Sequence, residues 1–272
     1  MNATINEQIA HYVERGRGIP VIFIHGFPFS HRMWEPQLLA LPDYFRKVAY
    51  DIRGHGESHI GDGQYSIEFF VDDLIALLDY LGIEKAVVCG LSMGGYIALR
   101  AIEREPSRFL GLVLCDTRST PDDNKAKIQR AQSVLDVRQH GVAKYADEFS
   151  KKVFSPGTVK NNPSVVEMIR DVIALNPPRG IAGTLLALAA RTDTTDALAG
   201  ISVPTLILVG EHDELTPPSD ARAMQQKITN VELHVIPDAG HLSNLDNPTV
   251  FNEKLLAFLH AIRQEVLNDT VG

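Results

Sequence analysis

The stretch "VVCGLSMGGY", Val87–Tyr96, ends an apolar run in a cysteine and then sets one serine among three glycines. The run Ala86–Cys89 reads as a strand, and "MGGYIALRAIEREP" reads as a helix closed by Pro106. Gly90-Leu91-Ser92-Met93-Gly94 must therefore turn the chain sharply from strand to helix. Such a turn forces strained φ/ψ on the serine, and glycines two residues away on each side relieve the crowding. Gly95 allows close packing of the helix. Ser92 then sits at a helix N-terminus, where the dipole and free N–H groups favour developing negative charge. The pattern suits a nucleophile lifted clear of the backbone. On this stretch alone, a plain tight turn is the alternative.

Outward from the turn, short apolar runs recur at Val21–His25, Val48–Tyr50, Leu110–Cys115, Thr205–Val209 and Leu233–Ile236. Several are apolar at every position, as in strands covered on both faces. "TINEQIAHYVERGRG" alternates apolar and polar residues and reads as edge strands. Helical patterns alternate with these runs. In "SIEFFVDDLIALLDYLG" the apolar residues Ile67, Phe70, Val71, Leu74, Leu77, Leu78 and Leu81 share one face before Gly82. In the last helical pattern, Asn247 is placed to cap and Pro248 to open the helix. The alternation predicts an α/β fold with a mostly parallel sheet. From about residue 121 to 199 the patterns are helical only, punctuated by Pro156, Gly157, Pro163, Pro177 and Pro178. This segment reads as a helical insertion between two strands.

The 272 residues suit one large domain or a core with an insertion, and 44% hydrophobic content supplies a sizeable core. A net charge of −8, with both signs mixed along the chain, argues against nucleic acid or an anionic membrane as partner. The N-terminus lacks the basic and apolar regions of a signal peptide, and no apolar run reaches the length of a membrane span. The expected location is cytoplasmic. Cys89 and Cys115 each end an apolar run and read as small buried residues. No metal-ligand spacing or disulfide framework is present, so neither metal nor cofactor is expected.

A serine hydroxyl needs a base within hydrogen-bond reach and a group that orients the base. Among ten histidines, His241 follows the last strand, on a loop opened by Pro237 and Gly240. That is the sheet edge where ligands bind in open α/β folds. His11, His140, His234 and His260 fit strand or helix patterns. Asp213 lies just past the strand Thr205–Val209, where its carboxylate can meet a histidine from the next strand's loop. Glu211, Glu214 and Asp116 are rival acids. Acyl transfer also needs oxyanion donors. The N–H of Met93, after the serine, is one. Phe27, in "HGFPFSHRMW" after the strand Val21–His25, can present the other. His25 reads as a prop for that loop. Phe29, Trp34 and Leu91 flank the site loops and are candidates for an apolar substrate pocket.

These residues together resemble the α/β-hydrolase superfamily. The likeness rests on "HGFP", on "DIRGHGES" at Asp51–Ser58, and on "GLSMGGY", "GEHDELTPP" and "GHLSNLDNP", and it covers nearly the whole chain. It implies an eight-stranded, mostly parallel sheet flanked by helices. The core would span residues 1–120 and 200–272, with a helical cap at 121–199. The chain order Ser92, Asp213, His241 matches that of the superfamily. Arg53, Gly54 and Gly56 take a structural role in the "RGHGES" loop. Within the superfamily the chain is most similar to 3-oxoadipate enol-lactonases and related carboxylesterases. Several enol-lactonase caps carry tryptophan, whereas the single tryptophan here, Trp34, lies outside the cap. The implied activity is that of a serine hydrolase cleaving a small-molecule ester or lactone through an acyl-enzyme, with no cofactor. Acyl transfer, perhydrolysis and C–C bond hydrolysis use the same three residues, and a non-catalytic small-molecule receptor is a further alternative. Haloalkane dehalogenases and epoxide hydrolases place an aspartate at position 92, where this chain has serine.

Overall fold

The computed structural model describes residues 1–269. Eight strands form one sheet: β1 (Asn2–Ile5), β2 (Gln8–Arg15), β3 (Ile19–Ile24), β4 (Phe45–Tyr50), β5 (Ala86–Leu91), β6 (Phe109–Cys115), β7 (Thr205–Gly210) and β8 (Val231–Ile236). Their spatial order is β1-β2-β4-β3-β5-β6-β7-β8. β1 and β2 form an antiparallel hairpin, β2 pairs antiparallel with β4, and all other neighbours are parallel. Every residue of β5 and β7 is buried, which is why these strands are apolar without alternation. β8 lies at the edge and keeps a mixed, half-exposed pattern. The chain runs outward from β3 to β4 and then crosses back to β5. The crevice past the ends of β3 and β5 is thus a topological switch point, where α/β sheets bind ligands.

The flanking helices are α1 (Glu35–Ala40), α2 (Ile67–Tyr80) and α3 (Met93–Arg104) before β6, and α9 (Pro218–Gln225), α10 (Ser243–Asp246) and α11 (Pro248–Asp269) after β7. Between β6 and β7 lie α4 (Asn124–His140), α5 (Val142–Lys152), α6 (Pro156–Asn161), α7 (Pro163–Ala174) and α8 (Pro178–Ala189), with no strand among them. Ser66 caps α2 by accepting from Phe69 N, and the buried stripe of α2 holds Ile67, Phe70, Val71, Leu74, Leu77 and Leu78. Burying each such side chain contributes roughly 1.5–3 kcal/mol. Proline opens α6, α7, α8, α9 and α11, where its missing N–H loses no helical bond. Asn247 Oδ1 accepts from Val250 N at 3.3 Å, in the predicted capping position. Within the insertion α4 packs on α8 and α5 on α7.

The chain leaves the sheet after β6 and returns to β7 through one clasp. Buried Asp122 accepts from Arg191 Nη1 at 2.5 Å and Arg118 Nη2 at 3.1 Å, and also pairs with Arg130. Arg191 Nη2 donates to Thr120 O at 2.7 Å, and Thr194 N and Oγ1 both donate to Ser119 O at 3.2 Å. Among the described residues, no single helix is long and apolar enough to cross a membrane.

Candidate active site

Ser92 joins β5 to α3 at φ 53°, ψ −112°, a conformation that side-chain-bearing residues rarely adopt. Such strain costs on the order of 1–3 kcal/mol and persists only where neighbours over-determine it. Here they do. Ser92 N donates to Cys115 O at 2.9 Å, on the neighbouring strand β6. Ser92 O accepts from Gly95 N at 2.9 Å and from Thr117 Oγ1 at 2.8 Å. The glycines are a packing requirement. A Cβ on Gly90 would lie 2.2 Å from Gly94 O, one on Gly94 2.2 Å from Ile24 O, and one on Gly95 2.4 Å from Thr117 Oγ1. The elbow is therefore seated directly on the end of β3 and on the loop after β6.

That same seat brings in the loop after β3. A Cβ on Gly26 would lie 3.2 Å from Ser92 Cβ, so the backbone leading to Phe27 passes beside the serine. His25 is fully buried and props this turn. Ile52 N donates to His25 Nε2 at 3.0 Å, so Nδ1 carries the proton and donates to Gly26 O at 2.8 Å. Burial pushes the His25 pKa down to about 4, which keeps the ring neutral in this role. Met93 is the first residue of α3, so its N–H has no acceptor within the helix. Phe27, Met93, Ser92 and His241 all line one cavity of about 560 Å³.

Asp213 and His241 meet where the loops after β7 and β8 converge. His241 Nδ1 lies 2.9 Å from Asp213 Oδ2, and both side chains are buried. The carboxylate also accepts from Leu215 N at 2.9 Å, Thr216 N at 3.0 Å and Thr216 Oγ1 at 2.7 Å. Burial alone would raise the Asp213 pKa, but the adjoining His241 and the donors from Thr216 hold it below the usual carboxylate range. An ionised Asp213 accepts a hydrogen bond from Nδ1–H, which leaves the lone pair of a neutral ring on Nε2. The rival acid Asp116 is engaged elsewhere. It accepts from Gly210 N at 2.8 Å and from Ser243 Oγ at 2.5 Å, while burial and the nearby Asp213 charge push its pKa up. Glu211, His212 and Glu214 are exposed.

Three expected pocket residues do not face the cavity. Phe29, Trp34 and Leu91 are fully buried in the core. Trp34 packs against Phe23 and Phe251, with ring centroids 5.1 and 6.3 Å apart, and Phe29 packs against Phe149. Nearness in sequence to the site loops put them forward, but Trp34 packs between β3 and α11, and Phe29 lies against α5 of the insertion. The core side of the cavity wall is instead made by Phe27, Met93, Tyr96, Leu215 and Thr216, and α8 adds Leu185 and Leu188. α4 and α5 supply a mixed wall that includes Arg130, Asp136, Lys144, Tyr145 and Glu148. His140, read from sequence as a helix-pattern residue, ends α4 and lines this wall.

Sequence reading also passed over Thr117, Thr216 and Asn176. Asn176 is buried between α7 and α8, donates from Nδ2 to Pro28 O at 2.7 Å and accepts from Gly56 N at 2.7 Å. It ties the insertion to both the Phe27 loop and the Asp51–Ser58 loop. In the latter, Arg53 clamps Asp73 through two bonds of 2.5 and 2.6 Å, while Gly54 and Gly56 take φ of 80° and 53°. The Thr-after-Asp spacing of Asp213 and Thr216 is the kind of local signal that marks a side-chain-capped turn.

A mostly parallel sheet with a serine at a strand-to-helix elbow, and a histidine–carboxylate pair on two later loops, is the α/β-hydrolase arrangement. Comparison with known proteins agrees. The model of the alpha/beta hydrolase fold family matches residues 19–248. The chain is 32% identical to 3-oxoadipate enol-lactonase 2 of Acinetobacter baylyi over 239 residues, 88% of each protein. It superposes with a TM-score of 0.92 on a thermophilic esterase from Thermogutta terrifontis, at 37% identity and covering 96% and 98% of the two chains. The enol-lactonase of Burkholderia xenovorans gives a TM-score of 0.90 at 30% identity, covering 96% and 100%. The chain belongs to the alpha/beta hydrolase fold family.

Proposed function

We propose that the protein is a serine hydrolase that cleaves small carboxylic esters or lactones through an acyl-enzyme intermediate. One observation carries this reading. A strained, braced Ser92 opens onto the same cavity as a histidine whose far nitrogen is held by a depressed-pKa carboxylate. The names of the relatives, enol-lactonase and esterase, support the substrate class.

In this cycle Ser92 Oγ attacks the carbonyl carbon while His241 Nε2 takes its proton. The tetrahedral oxyanion accepts from the N–H groups of Phe27 and Met93. Collapse expels the alcohol, which takes the proton back from His241. From a lactone that alcohol stays tethered to the acyl chain. Water then attacks the acyl-enzyme, His241 removes its proton, and Ser92 leaves with that proton restored. Asp213 stays ionised throughout and stabilises the imidazolium. A cavity of about 560 Å³ lies within the range of small-molecule sites.

The test is Ser92→Ala with p-nitrophenyl acetate and a fluorophosphonate label. Wild type should turn over and label once per chain. The variant should stay folded, lose label, and fall by about 10⁶-fold in kcat. Undiminished turnover in Ser92→Ala would overturn the assignment. Product analysis with added alcohol or peroxide separates hydrolysis from acyl transfer.

A further inference from the structure

Away from the cavity, three segments bring metal-ligand side chains together. His11 comes from β2, His31 from the loop after β3, and Glu57 from the loop after β4. One ring nitrogen of each histidine and one carboxylate oxygen of Glu57 all lie within 4.8 Å of one another. We propose that His11, His31 and Glu57 form a binding site for a divalent transition-metal ion, with Zn(II) the best match to the donor set.

The His11–Glu57 spacing is close to that of two ligands on one tetrahedral ion. His11 Nδ1 lies 3.6 Å from Glu57 Oε2, too far for a good hydrogen bond. Two ligand atoms on one tetrahedral Zn(II), each bonded at roughly 2.1 Å, stand about 3.4 Å apart. The ring centroids of His11 and His31 are 5.1 Å apart. Two imidazoles on one such ion place their centroids about 5 Å apart. Glu57 is largely exposed at its side chain, so it can close the remaining gap.

The surroundings are those that orient metal ligands. Buried Asp51 accepts from His31 Nδ1 at 2.8 Å, which leaves the His31 lone pair on Nε2. The same carboxylate accepts from His31 N at 2.7 Å and Glu57 N at 2.9 Å. A carboxylate behind a ligating imidazole fixes its tautomer and ring orientation. Here it also fixes the backbone of a second ligand. His11 Nδ1 donates to Asn2 Oδ1 at 3.1 Å, so the ring must release Asn2 and switch tautomer to coordinate through Nδ1. Two imidazoles and one carboxylate, with water in a fourth position, suit borderline divalent ions such as Zn(II). An ion there would staple β2 and the loop after β4 to the segment that begins at Phe27.

The experiment titrates ZnCl2 into EDTA-treated full-length protein by calorimetry and follows thermal unfolding. One saturable site per chain and a higher Tm are expected. Glu57→Gln should keep the metal-free Tm and weaken Zn(II) binding by more than about tenfold. Adding His11→Gln should abolish binding. The exposed cluster Glu211, His212 and Asp238 serves as a control, and His212→Ala should leave the site intact. No saturable binding in wild type, binding that survives Glu57→Gln with His11→Gln, or binding lost in His212→Ala would each overturn the proposal.

Discussion

Gly94→Ala adds one methyl group where the proposed nucleophile, Ser92, and the proposed oxyanion donors are locked together. The new Cβ would sit 2.2 Å from Ile24 O, 2.8 Å from Ile24 C and 3.0 Å from His25 O. These are backbone atoms with no flexible end to swing away. Ordinary contact begins near 3.4 Å, so the gap between α3 and the end of β3 must open by about 1.2 Å. Ile24 lies three residues before Phe27, so the shift moves the loop donor away from Ser92. Misplacement by about 1 Å costs about 10²-fold, and loss of one oxyanion donor about 10²–10³-fold. The expectation is a drop of about 10²–10³ in kcat with KM little changed, since the oxyanion forms after binding. Overpacking should also lower stability by roughly 1–3 kcal/mol. Gly82→Ala is the control. Its φ of +64° is strained for alanine, but nothing lies within 4 Å of the added Cβ. It should cost about 1–2 kcal/mol in urea unfolding and leave ester turnover unchanged. A Gly94→Ala enzyme with wild-type kcat would refute the claim that elbow and loop share one steric seat.

Asp213→Asn keeps the shape of the acid but favours the wrong His241 tautomer. Stopped-flow or steady-state assays should show kcat down by about 10⁴-fold. Thr216→Val removes a donor from a buried carboxylate and should cost about 1.5–3 kcal/mol of stability by urea unfolding, with a smaller loss of kcat than Asp213→Asn. His55 gives a pH test. Its ring is buried and near His25, and its pKa falls from 6.5 to about 3. The unfolded chain therefore binds a proton near pH 6.5 that the folded chain refuses. Stability from the neutral ring is full above that pH and is lost as pH falls toward 3. His55→Phe should make the stability–pH slope between pH 6 and 4 shallower by about one proton, roughly 1.4 kcal/mol per pH unit. Equal slopes for variant and wild type would remove His55 from the acid response.

The elbow is legible in sequence because its cause is local. A sharp turn needs glycine at fixed offsets, and the strand and helix on either side carry their own periodicities. His241 and Asp213 are legible because each follows a recognisable strand, and strand ends share one edge of the sheet. Thr117 and Asn176 are not, since each acts on a partner at least 25 residues away whose position only the folded sheet determines. Phe29, Trp34 and Leu91 mislead for the opposite reason. Their sequence neighbourhood is the site, but each side chain is fully buried by distant partners, Trp34 against Phe251 and Phe29 against Phe149, which sequence position does not reveal. Asp116 and Asp213 look alike as strand-end acids, and only packing assigns one to Gly210 and Ser243 and the other to His241.

The clasp at Asp122 and Arg191 makes the helical insertion a replaceable part. Ser119 and Thr194 are hydrogen-bonded neighbours, so the insertion starts and ends at a single doorway. Exchanging its helices for a longer or shorter set leaves the end-to-end distance unchanged, and doubling the enclosed length adds only about 0.6 kcal/mol of closure entropy. Most of the cavity wall can thus be exchanged as a cartridge when the bonds of Asn176 to Pro28 O and Gly56 N and of Val153 O to Leu242 N are retained, while the sheet that holds Ser92, Asp213 and His241 keeps its register.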